Sequence, residues 1–368
     1  MLPTCAFDIQ DNNTFVTTPS ATLQERVLDQ FLSKRRTFNS ADKWFYELET
    51  RTLPIFRRRR KDTHIIIEPY PKAVRIAILD VGIDRECSFR GQIKKGRSFI
   101  QGEKHGDYQR DETGHGTVVA YQVARVCPNA ETYIARIAKS TNGKIVPDRH
   151  AIVQALKWAS EEWKVDIINM SFGWKSQNDE DGIEDALNVI GNMRSVLVFA
   201  SSTNDGALDD MLFPARHRDV IAVDAVDGLG KPFNITGLTD SGQRQERFSA
   251  PGLNVLSAGG KRVTGSSYAS PVVAGIAGLV LEAFRREMPK PEASVHKRLG
   301  TREAMERILK LLSKQVEGFN FLTPWIELHE DGFFETFLFC TDVILGPLRM
   351  YERCGASYLD RSKRRIEP

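Results

Sequence analysis

From Val74 onward the chain repeats one kind of unit, a short apolar run followed by a stretch with helical periodicity. Val74–Leu79 is such a run and ends on Asp80; Thr132–Ala138, Val165–Met170, Val196–Ala200 and Val220–Val226 are similar. Between them, Asp148 caps a helix whose apolar face is Ile152, Leu156, Ala159 and Trp163, and Asp181–Met193 reads as another helix. Apolar strands alternating with helices call for an α/β fold, a mostly parallel sheet with helices on both faces. In such sheets, functional residues gather at the carboxyl ends of the strands. Ser267–Glu287 carries apolar residues on nearly every side and is expected to be a deeply buried helix.

The flanks differ. Residues 1–72 are polar and then basic, with a capping box at Thr22–Glu25, a short helix carrying Val27, Leu28, Phe31 and Leu32, and basic runs at Lys34–Arg36 and Arg57–Lys61. Residues 73–288 are expected to form the main domain and 289–368 a helical extension. There, Thr301–Val316 reads as an amphipathic helix with Met305, Ile308, Leu309 and Leu312 on one face, and an aromatic stretch follows at Phe333–Phe339.

A formal charge of +3 on 368 residues gives no reason to expect a nucleic-acid or membrane partner, and no uninterrupted apolar run reaches the length of a membrane span. The five cysteines are scattered and read as free thiols in a reducing compartment. The start, MLPTCAFDIQDNNTF, lacks the pattern of a secretory leader. A cytoplasmic protein is therefore expected, with the basic runs as a weaker pointer to the nucleus.

Three motifs carry chemistry. Ile78–Asp84 puts Asp80 at the end of an apolar strand. Gly114–Ala120 puts His115 between two glycines at a helix start. Gly265–Pro271 puts Ser267 in the first turn of the most apolar helix, where backbone N–H groups and the positive helix end face any developing negative charge. Singly, each has an ordinary reading as a turn or cap. Jointly, a carboxylate, an imidazole and a hydroxyl in this order resemble the subtilisin-like serine proteases, whose serine motif G-T-S-M-A-[ST]-P and histidine motif H-G-T-H-V-A are closely matched.

The resemblance runs from about Val74 to Phe284. It implies a three-layer subtilisin-like fold and a serine endopeptidase with Asp80, His115 and Ser267 as its triad and Asn204 in the oxyanion hole. It further implies that Ser171, Phe172 and Gly173 line the substrate cleft, with Leu212 in the facing stretch. The substrate would be a protein or peptide, and no cofactor or catalytic metal is called for. The connection from Ala120 to Tyr133 is too short for the calcium loop that many relatives carry there. Val81 stands where the family has Ser or Thr, and Tyr268 where it has Met, beside the serine. Asp205, Asp209 and Asp210, with Asp179, Glu180 and Asp181, suggest a pocket for Lys or Arg; Phe172, Met211 and Leu212 suggest an apolar one instead.

Two other classes remain open on the residues. A pseudoprotease would keep the fold and bind peptides without cleaving them. A metal hydrolase built from His105, Asp107, Asp111, Glu112 and His115 lacks an H-E-x-x-H helix.

Overall fold

Strand β1 (Arg75–Asp80) shows why the sheet is covered twice: Ile76 and Ile78 pack into one apolar cluster, Ala77 and Leu79 into the other. Successive side chains of a strand point to opposite faces, so a strand apolar throughout requires helices on both sides. The computed structural model describes residues 39–54, 72–142, 144–175, 182–193, 195–202, 211–232, 246–287 and 299–325. All of these lie in one compact unit that begins at Asn39. The expected Val27–Leu32 helix, both basic runs, Asn204, all six pocket carboxylates and Phe333–Phe339 lie outside the described residues.

In chain order, helix α1 (Ser40–Glu47) runs into a π-helical turn at Leu48–Thr52, and β1 follows. Then come β2 (Ile93–Ser98), α2 (His115–Val126), β3 (Glu131–Arg136), the hairpin β4 (Ala138–Thr141) and β5 (Lys144–Pro147), and α3 (Arg149–Glu161). The chain continues through β6 (Ile167–Met170), α4 (Ile183–Met193), β7 (Leu197–Ser201), β8 (Val220–Val226) and β9 (Arg247–Pro251). A small β10 (Val255–Leu256) and β11 (Arg262–Val263) pair precedes α5 (Ser266–Glu287), α6 (Arg302–Leu311), β12 (Ser313–Val316) and β13 (Phe319–Leu322).

The central sheet has the order β12-β13-β9-β8-β7-β6-β1-β3-β2, and every neighbouring pair is parallel except β12 with β13. Helices α2 and α5 cover one face and α3 and α4 the other. The 20-residue apolar stretch Ser266–Arg285 has a membrane-span composition, but 89% of its most apolar window is buried, which makes it the core helix.

The expected helix over Thr301–Val316 is cut short. It ends at Leu311, and Ser313–Val316 turns back as a hairpin onto Phe319–Leu322. The cause is the two-residue loop: Glu317 (φ 49°) and Gly318 (φ 83°) both take left-handed backbone, the geometry whose twist matches a hairpin. The tail thereby extends the main sheet, since β13 pairs with β9.

Helix α1 also belongs to this core. Trp44, Phe45 and Leu48 are fully buried, and the Trp44 indole Nε1–H donates to the Leu322 carbonyl at 2.8 Å. Asp42 pairs with Arg262 and Glu49 with Arg125, whose guanidinium also lies over the Phe45 ring. Trp44→Ala should therefore cost about 3–5 kcal/mol of stability, as large-to-small changes at aromatic core positions do. Denaturant unfolding checks this, and a loss below about 1 kcal/mol would mean that α1 is only loosely attached.

Candidate active site

Asp80 closes β1, so its carboxylate emerges at the carboxyl edge of the sheet. Oδ1 accepts from the Val81 N–H and from His115 Nδ1, both at 2.8 Å. Oδ2 is buried with no hydrogen-bond partner among the described residues. His115 opens α2 behind Gly114, whose φ of 76° sets the turn into the helix.

The pair can meet only because two glycines stand between the loops. A Cβ on Gly116 would lie 2.1 Å from the Gly82 carbonyl oxygen, and one on Gly82 (φ 112°) would lie 2.2 Å from the Arg110 carbonyl oxygen. Both are backbone collisions that no rotamer change relieves.

Asp111 secures the start of α2. Oδ1 accepts from the Gly114 N–H (2.7 Å) and from Thr113, and Oδ2 accepts from the Thr117 N–H (2.7 Å) and hydroxyl (2.6 Å). Thr117 Oγ1 in turn accepts from the Asp84 N–H, tying the helix to the loop after Asp80. Among the described residues, His105, Asp107, Asp111, Glu112 and His115 do not gather into a metal-holding group: Asp111 accepts from backbone and hydroxyl donors, Glu112 pairs with Arg136 and Asp107 accepts from the Lys104 N–H.

Burial works against a charged His115 imidazole. The charge of Asp80, its hydrogen bond and the nearby Asp111 outweigh that effect and hold the pKa above the ordinary value. The His115–Asp80 contact contributes fully below the unfolded imidazole value of about 6.5 and is lost as pH rises through the higher folded value.

Ser267 sits in the first turn of α5 and is largely buried. Its hydroxyl donates to the Ser171 carbonyl at 3.0 Å, and the Ser171 hydroxyl donates back to the Ser267 carbonyl at 2.8 Å. The next side chain, Tyr268, lies against His115 with ring centroids 5.4 Å apart, which brings the third motif to the first two. Burial, with the charges of Asp80 and Asp111, raises the Tyr268 phenol, so it stays neutral.

Beneath Ser267, the Asn169 amide donates to Ser171 Oγ (2.9 Å) and accepts from Ser270 Oγ (2.7 Å), all within the buried interior. The segment leaving β6 continues through Phe172 and Gly173 to Trp174, which exchanges backbone hydrogen bonds with Phe213. Leu212 packs directly on Gly173, where a Cβ would come 2.8 Å from the Leu212 Cβ. Phe172 and Trp174 are parallel, with centroids 6.1 Å apart.

The structure thus brings Asp80, His115 and Ser267 to one edge of the sheet beside Ser171–Gly173 and Leu212. Sequence reasoning does not single out Asn169 or Arg136, and it names Asp111 only as a candidate metal ligand. A polar Asn169 inside the apolar run Ile167–Met170 was the available signal.

Comparison with known proteins identifies the family. The profile of the subtilase family matches residues 71–316. The chain belongs to that family. Family membership makes it a subtilisin-like serine endopeptidase, a hydrolase. This subtilase is 30% identical over 297 residues to the subtilisin-like protease het-Q2 of Podospora anserina, covering 67% of the chain and 81% of that protein. It is 34% identical over 230 residues to alkaline elastase YaB of Bacillus sp. (strain YaB), covering 56% of the chain and just over half, 54%, of that relative. Among solved structures, a lanthipeptide protease superposes with a TM-score of 0.55 at 20% identity, over 68% of the chain and 86% of that structure.

The glycine contact yields a direct test. Gly116→Ala in this subtilase should lower kcat/KM by at least about 100-fold, the scale of an ångström-sized misplacement. Peptidase assays with circular dichroism check it; a folded Gly116→Ala protein with unchanged activity would contradict the described approach of the two loops.

Proposed function

We propose that Asp80, His115 and Ser267 act as a catalytic triad that hydrolyses protein or peptide substrates through an acyl-enzyme. The observation that carries this reading is the His115–Asp80 hydrogen bond, with Ser267 held at a helix start beside it. In the proposed reaction the Ser267 hydroxyl leaves the Ser171 carbonyl and hands its proton to His115 Nε2 as Oγ attacks the scissile carbonyl. The departing amine takes that proton, and water repeats the sequence to release the acid. Asp80 holds the Nδ1 proton and stabilises the imidazolium without accepting the proton.

The oxyanion would be met by the Ser267 N–H and the Asn204 amide. One such donor is worth about 2.7–4 kcal/mol of transition-state stabilisation. Ser171–Gly173 would form one wall of the cleft, and Leu212 the facing one. The packing of Leu212 on Gly173 favours an apolar pocket over the acidic alternative. A positional scan of fluorogenic peptides should therefore prefer apolar residues before the scissile bond; a strong preference for Arg or Lys there would overturn the pocket reading.

A fluorophosphonate probe should label the folded chain, and Ser267→Ala should abolish both labelling and peptidase activity. The neutral imidazole is the base, and its pKa is raised, so kcat/KM should climb with pH through a midpoint above about 6.5. A folded, unlabelled wild-type chain would leave the pseudoprotease reading in its place.

A further inference from the structure

Arg136 ends β3 as the register partner of Asp80, and its side chain is 1% exposed. A buried guanidinium is costly unless each N–H finds an acceptor. Here each nitrogen does. Nε donates to Glu103 Oε2 (2.9 Å); Nη2 donates to Glu112 Oε1 (2.9 Å) and Glu103 Oε1 (3.3 Å). Nη1 donates to the backbone carbonyls of Val81 and Arg110 and to Glu112 Oε2.

The two carbonyls are the informative partners. Val81 directly follows Asp80. Arg110 directly precedes Asp111, the carboxylate that holds the start of the helix bearing His115. One side chain therefore binds the loop leaving Asp80 and the loop entering His115 at the same point, with Glu103 and Glu112 neutralising its charge. Those two loops also form the glycine contact, so slackening the clamp would let the imidazole drift from Oδ1.

We propose that Arg136 is a positioning residue for the hydrolytic reaction, setting the Asp80–His115 geometry from outside the substrate cleft. This inference rests on the triad reading. The groups facing His115 are Asp80 from β1, Asp111 from the preceding loop and Tyr268 from α5; Arg136, Glu103 and Glu112 act behind them. The cleft residues Ser171–Gly173 make no contact with this cluster in the hydrogen bonds described, so substrate binding should be insulated from it.

The test compares wild type, Arg136→Met, Arg136→Lys and Glu112→Ala, with active sites titrated by the fluorophosphonate and melting followed in parallel. Arg136→Met should lower kcat per titrated site by about 10–100-fold with KM nearly unchanged, and move the kcat/KM midpoint down toward the ordinary imidazole value of about 6.5. Arg136→Lys, which keeps the charge but loses the planar fork, should recover part of kcat. Glu112→Ala, at a half-exposed side chain, should shift kcat and midpoint in the same direction by less, and serves if Arg136→Met does not fold. A lowered melting temperature with unchanged kcat per site and an unchanged midpoint would overturn the proposal and leave Arg136 a structural staple. If wild type itself takes no label, the triad reading fails and this proposal falls with it, an outcome distinct from a labelled wild type with unchanged Arg136→Met kinetics.

Discussion

The close approach of Gly82 and Gly116 is the constraint on which the site depends. Asp80 is delivered by β1 and His115 by α2, from segments that the sheet alone would leave separate. Their side chains share a 2.8 Å hydrogen bond because the backbone of one loop passes where the other has no Cβ. Asp111 and Thr117 then pin the helix start to that arrangement. Gly82 and Gly116 are thus steric requirements of the Asp80–His115 geometry, whereas Gly114 supplies the left-handed turn into the helix.

Ser267 is held by a different device. Its helix is anchored in the apolar core, while Asn169, Ser171 and Ser270 form a fully partnered polar patch beneath the first turn. Buried hydroxyls and amides are costly when unpartnered and specifying when satisfied. The patch joins β6 to α5 and so fixes Ser267 relative to that strand. The two halves of the site, Asp80–His115 and Ser267–Ser171, are therefore separately rigid and meet at Tyr268.

Much of this was legible in the chain. The runs ending at Asp80 and Met170 point to buried parallel strands, because they are too short for helices and alternate with helical stretches. The motifs around Asp80, His115 and Ser267 name three residues that the fold brings to one edge of the sheet. Other features were hidden because they depend on long-range partners. Trp44 sits in a polar, basic stretch, and its burial against Leu322 spans most of the chain. Ser313–Val316 has helical periodicity, and only the left-handed Glu317–Gly318 turn decides for a strand. Arg136 falls inside the run Thr132–Ala138 with no local hint of its partners, because its carboxylates come from Glu103 and Glu112.

The central claim is that Asp80 fixes the proton on His115 Nδ1 and leaves Nε2 as the base. Nitrogen-15 NMR of the imidazole, titrated from about pH 5 to about pH 9 around its ordinary pKa, reads this directly. The account predicts that Nδ1 stays protonated throughout while Nε2 alone titrates, with a midpoint above about 6.5. An Nε2-protonated tautomer at high pH, or a midpoint below that value, would contradict it.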